Sequence, residues 1–87
     1  MNELGLKYVK YAEKLLSQSP NRKDFVFNDW ISSPFQERLM RFGQEFKAFE
    51  LEAGDTANIS KAIRASLIFS FLKVSDEQIN KELNARS

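Results

Sequence analysis

The chain contains no cysteine and no histidine. Without cysteine there is no disulfide and no thiolate metal site; without histidine the commonest metal ligand and the commonest general base are gone. A reducing, cytoplasmic setting agrees with the missing cysteines. Three glycines and two prolines are spread over 87 residues, so no glycine-rich loop of the kind that cradles phosphates is present. No apolar run approaches the ~18 residues of a membrane span. Residues 65–72, ASLIFSFL, are too few and include two serines. The first residues do not read as a secretion signal, because Glu3, Lys7, Lys10 and Glu13 interrupt any apolar run. These absences leave no catalytic, cofactor-binding or metal-ligating set of residues, and a non-enzymatic protein with no membrane partner is expected.

Charge of one sign is also missing. Thirteen Lys and Arg face twelve Asp and Glu, so a protein-wide basic footprint for nucleic acid is absent. The distribution is uneven: residues 1–23 hold five basic and two acidic side chains, residues 24–58 three and seven, and residues 59–87 five and three. Local basic patches therefore sit at both ends of an acidic middle. Hydrophobic residues make up 43% of the chain, which argues for a folded domain over a disordered tail. A length of 87 residues is that of one domain, expected over residues 1–87. Domains this small are often helped by disulfides, metals or oligomerisation.

What is there is mostly helical. Over residues 3–18, Leu4, Tyr8, Tyr11, Ala12, Leu15 and Leu16 recur at helical spacing, with Lys7, Lys10, Glu13 and Lys14 on the wet side. Pro20 disfavours a helical residue before it and ends the segment. A second helix is expected over 34–53: Ser33, Pro34 and Gln36 form a start signal. Phe35, Leu39, Phe42, Phe46, Phe49 and Ala53 then fall within about 80° of one another on the helical wheel. Gly54 marks its end. A third helix is expected over 57–73, capped by Thr56 or Asn58. Ile59, Ile63, Leu67 and Val74 occupy one side, Ala65, Ile68 and Leu72 the other, and Phe69 and Phe71 lie between. A helix apolar on several sides is buried on several sides. The last helix, 76–84, carries a capping box of Ser75 and Gln78, a hydrophobic staple of Val74 and Ile79, and acidic residues Asp76 and Glu77 at its positive end.

Residues 24–30, DFVFNDW, break the helical pattern. Their aromatic and β-branched alternation suits a short strand or an extended segment. A lone strand needs a partner, and no second strand is legible in this chain. Trp30 at its end reads as core or as an anchor for a partner. The phenylalanine stripe of the second helix reads as core, with a nucleobase platform as the other use of such rings. Arg22 and Lys23 precede the extended segment, and Lys61 and Arg64 lie early in the third helix. Thr56, Asn58 and Ser60 accompany the free N–H groups of that helix start, the arrangement of a phosphate clamp. The other reading of these residues is a capped helix with solubilising charges.

The order of short strand, helix, glycine turn and apolar helix resembles the ribbon-helix-helix family of DNA-binding proteins over residues 24–73. DFVFNDW sits where that family has its strand, ERLMRFGQEF where it has its first helix, and NISKAIRASLIFSFL is similar to its second. The resemblance implies a mainly α fold of four helices plus one short strand, as a ribbon-helix-helix-like intertwined homodimer. In such a dimer the strands pair, and the apolar helix is buried against its twin. It also implies DNA as partner, with Asn28 as base reader. Thr56, Asn58 and Ser60 would then contact phosphate, and Arg22, Lys23 and Lys61 would supply charge. The interface between copies would hold Phe25, Phe27, Trp30, Ile63, Leu67, Ile68 and Phe71. The alternative is an all-α four-helix bundle that binds another protein, with Trp30 as anchor and DFVFNDW as an interhelical loop. Neither reading calls for a cofactor or a metal.

Overall fold

The computed structural model describes residues 3–27, 33–46 and 56–85; for 33–36, 45, 46 and 56–59 it describes the backbone alone. Among the described residues four α-helices follow one another: α1 (Glu3–Gln18), α2 (Ser33–Phe46), α3 (Thr56–Phe71) and α4 (Asp76–Asn84), with a 3-10 turn, Arg22–Asp24, after α1. The fold is mainly α, and no strand occurs among the described residues. No described helix is long and apolar enough to cross a membrane.

The strand expectation for residues 24–30 is corrected over its described part. Asp24 closes the 3-10 turn, and Phe25 after it is extended at φ −78°, ψ 115°. Neither Val26 nor Phe27 pairs with a strand. The alternation that suggested a strand serves packing, because Phe25 is half-buried against the core while Val26 is 47% exposed. Asn28 and Trp30 lie outside the described residues. So do residues 47–53 of the expected second helix.

The core forms where α3 passes between α1 and α2. From Ala65 to Phe69, five consecutive residues are each 1% exposed or less. That resolves the helix with apolar residues on several sides: a single chain encloses it. Tyr8, Ala12 and Leu16 of α1, Leu39 and Phe42 of α2, and Ile79 and Leu83 of α4 complete the buried cluster. Gly5 is buried on the same face of α1 as Tyr8 and Ala12. The Tyr8 ring lies 5.3 Å from Phe42 and meets Phe69 edge-on at 5.0 Å, the offset geometries that aromatic quadrupoles favour.

Two polar groups sit inside this cluster and satisfy each other. The Tyr8 hydroxyl and Ser66 Oγ are 2.6 Å apart, and Ser66 is fully buried. Burial pushes the Tyr8 phenol up to about 12, against the weaker pull of the Ser66 hydrogen bond and the Arg38 and Arg41 charges. An unfolded tyrosine ionises near pH ~10, so at higher pH the unfolded chain loses a proton that the folded chain keeps. Stability from this residue is therefore complete below pH ~10 and falls away as pH rises through ~12, by about 3 kcal/mol at full ionisation. Urea unfolding at about pH 9 and about pH 11.5 tests it. Wild type is expected to lose more stability between the two than Tyr8→Phe, which lacks the phenol. Equal losses would contradict the assignment.

The turn from α3 to α4 sets the last helix in place. Lys73 adopts φ 58°. The Val74 N–H reaches the Phe69 carbonyl at 2.8 Å and the Lys73 N–H the Ser70 carbonyl at 3.1 Å, the two bonds of a Schellman motif. This ends α3 at Phe71, two residues before the expected 73. A left-handed residue usually calls for glycine, and lysine gives no such signal. Val74 then packs on the core, Ser75 caps α4 by accepting a hydrogen bond from the Gln78 N–H at 3.1 Å, and Ile79 is fully buried.

Arg38 fastens this turn to α2. One terminal nitrogen donates to Ser70 Oγ at 3.0 Å, and the other to the Val74 carbonyl at 2.5 Å. Its Nε lies 2.7 Å from Asp76 Oδ1 as an ion pair, and its side chain is 12% exposed. Arg41, one turn on, pairs with the other oxygen of Asp76. Burial lowers the Arg38 guanidinium below its ordinary value, offset in part by Tyr8; it remains a cation in any ordinary buffer.

Candidate functional site

The 3-10 turn, the segment after it and the outer face of α3 come together on one side of the molecule. Phe25 meets Phe71 edge-on at 5.4 Å. The Arg64 guanidinium stands 5.3 Å from the Phe25 ring centroid, within cation–π range, while its Nε donates to Glu13 Oε1 of α1 at 3.1 Å. Beside this stack lies an open groove of about 490 Å³ lined by Phe27, Ser60, Lys61 and Arg64. Ser60 and Arg64 are four apart on α3, and Lys61 and Arg64 three apart, so all three share the face that turns away from the buried one.

The surface therefore pairs an aromatic floor with a cationic rim. Ser60 and Lys61 are exposed, and Phe27 and Arg64 are half-buried. The Arg64–Glu13 pair is partly exposed on both sides, at 41% and 48%, so it fixes position more than it adds stability. Arg22 and Lys23, both exposed, precede Phe25 directly. One Arg22 terminal nitrogen donates to the Ser17 carbonyl at 3.3 Å, which ties the 3-10 turn back to the end of α1.

Of the residues singled out from sequence, this surface gathers Phe25, Phe27, Ser60, Lys61 and Phe71, while Arg22 and Lys23 belong to the 3-10 turn that leads into it. Thr56 and Asn58 belong to the first turn of α3, with backbone alone described. Asn28 and Trp30 lie outside the described residues. Ile63 is half-buried against the core cluster, while Leu67 and Ile68 are fully enclosed within one chain. Ile68 belongs to the cluster built with α1 and α2, so a second copy would have to displace part of that cluster to reach it. Arg64, singled out from sequence beside Lys61, belongs to this surface as well. One participant is added by the structure: Glu13 was not legible, since 51 positions separate it from its partner.

No group of three or more carboxylates that could hold a metal ion occurs among the described residues. No protein-family model matches the chain, and no curated protein or solved structure does either.

Proposed function

We propose that the chain is a non-catalytic helical module, self-contained as a four-helix domain, whose groove beside α3 binds an acidic, partly apolar segment of a protein partner. The observation that carries this reading is the juxtaposition of Phe27 with Lys61 and Arg64 on an open face, on a chain whose core is closed by its own helices. Aromatic and arginine side chains with an apolar base are what interface centres favour. Two cations on the rim select a partner of opposite charge.

DNA is the second reading, and the exposed Ser60 and Lys61 in the early turns of α3 favour it. The two readings separate in one experiment: fluorescence titration of wild type and of the Lys61→Glu/Arg64→Glu variant against an amphipathic peptide of Glu and Leu, and against a mixed-sequence DNA duplex, at rising salt. The peptide is expected to bind wild type at least about tenfold tighter than the variant, a difference of ~1.4 kcal/mol. An absence of peptide binding, together with tight duplex binding that falls steeply with salt, would sink the protein-partner reading in favour of DNA.

A further inference from the structure

A separate cleft lies on another part of the surface, between α1 and α4. It is more enclosed than the groove beside α3, has a volume of about 120 Å³, and is lined by Lys7, Lys10, Tyr11, Lys14, Glu82 and Leu83. Lys7, Lys10 and Lys14 follow one another at steps of three and four, so all three ammonium groups belong to one face of α1. Three cations and one carboxylate thus line the cleft, and a second carboxylate, Glu3, faces only Lys7. Lys7 is braced from the preceding turn by Glu3 at 3.9 Å. Lys10 and Lys14 have no ion pair among the described residues.

The walls are apolar and fixed. Leu83 is 1% exposed and part of the core, and the Tyr11 ring is held 5.5 Å from Phe69. A cleft lined mostly by one sign of charge, with low-dielectric walls, concentrates the field inside it. The volume admits several waters or one compact anion, and is too small for a folded segment of another protein. Lysine serves as a point charge for phosphate, with three donors on each ammonium group.

We propose that this cleft binds a compact, multiply charged oxyanion, namely phosphate or a phosphate monoester. The site is independent of the groove beside α3 and shares no residue with it.

Backbone amide shifts recorded while inorganic phosphate is added, at low and constant ionic strength with chloride as the exchanged ion, test it. Saturable shifts confined to residues 7–14 and 82–83 are expected. Lys10→Gln/Lys14→Gln removes two exposed charges without touching the core, and is expected to weaken binding at least tenfold. Glu82→Gln removes the opposing carboxylate and is expected to tighten it severalfold. A linear, unsaturated response, or an unchanged affinity in the double lysine variant, would overturn the proposal. Binding to phosphatidate vesicles and not to phosphatidylcholine vesicles, with no saturable response to free phosphate, would overturn it as well, since the same charges would then be serving a lipid surface.

Discussion

Replacing Arg38 with alanine is expected to lower the unfolding free energy by about 3 kcal/mol, since removing a partly buried guanidinium strips three polar groups of this partner. The number follows from how many groups depend on this side chain. Ser70 Oγ, the Val74 carbonyl and Asp76 Oδ1 all face its guanidinium, and the same group stands 6.0 Å from the Phe69 ring centroid. Asp76 keeps Arg41 after the change, which holds the loss below that of a fully orphaned carboxylate. Arg38→Lys should recover less than half, because one ammonium cannot reproduce a planar fork aimed in three directions. Domains of this size are stable by about 5–15 kcal/mol, so the alanine variant should unfold at clearly lower urea. A midpoint within about 0.5 kcal/mol of wild type would show that the α3–α4 turn holds without this clasp.

Phe69→Ala should cost still more, about 4 kcal/mol, within the range for truncating a buried aromatic. Phe69 is fully buried and lies against Tyr8 at 5.0 Å and Tyr11 at 5.5 Å. It therefore touches α1 through two rings and α2 through Arg38. It also opens the Schellman turn, since its carbonyl accepts the Val74 N–H. The cavity would form where three helices meet, and such a site collapses poorly. Phe69→Leu, which keeps most of the volume, should lose roughly half as much. Because Phe69 and Arg38 are in contact, the double variant is expected to lose less than the two single losses combined. Unfolding in urea with far-ultraviolet circular dichroism measures all of these; a loss below about 1.5 kcal/mol for Phe69→Ala would show that the core centre lies elsewhere.

The helices were legible because their ends carry local chemistry. Pro20 and the serine-rich stretch stop α1 at Gln18, and the Ser75–Gln78 pair starts α4 at Asp76, both as read from the residues. The inward residues of α1 were legible too, since Tyr8, Ala12 and Leu16 follow the 3.6 period and are all buried. Burial of α3 on several sides was also readable, but not what buries it. A residue pattern says that a face is apolar without saying whether the cover comes from the same chain or a second one. In the structure Tyr8, Ala12, Leu39 and Phe42 supply that cover.

The rest was hidden for physical reasons. Arg38 stands off the phenylalanine stripe of α2, where a surface charge would stand, yet its partners lie 32 and 36 positions on. Lys73 in a left-handed conformation has no residue-level mark, because the turn is imposed by Val74 packing on the core. Segment 24–30 has strand-like composition, but composition reports how a residue fits a half-buried surface and not which backbone it takes. Phe25 satisfies that preference against Phe71 and Arg64. The groove beside α3 was half-readable: its cations lie on one helical face, while the aromatic residue that floors it arrives from more than 30 positions away.

The proposed module closes its own core within one chain and leaves the Phe27–Lys61–Arg64 face free for a partner. Solution mass by light scattering after size exclusion, at micromolar and sub-micromolar concentration with circular dichroism alongside, separates it from an intertwined dimer. The mass of a single 87-residue chain is expected, with helicity unchanged on dilution. A dimer whose helicity disappears on dilution would contradict it, because a core built from two chains cannot outlast their separation.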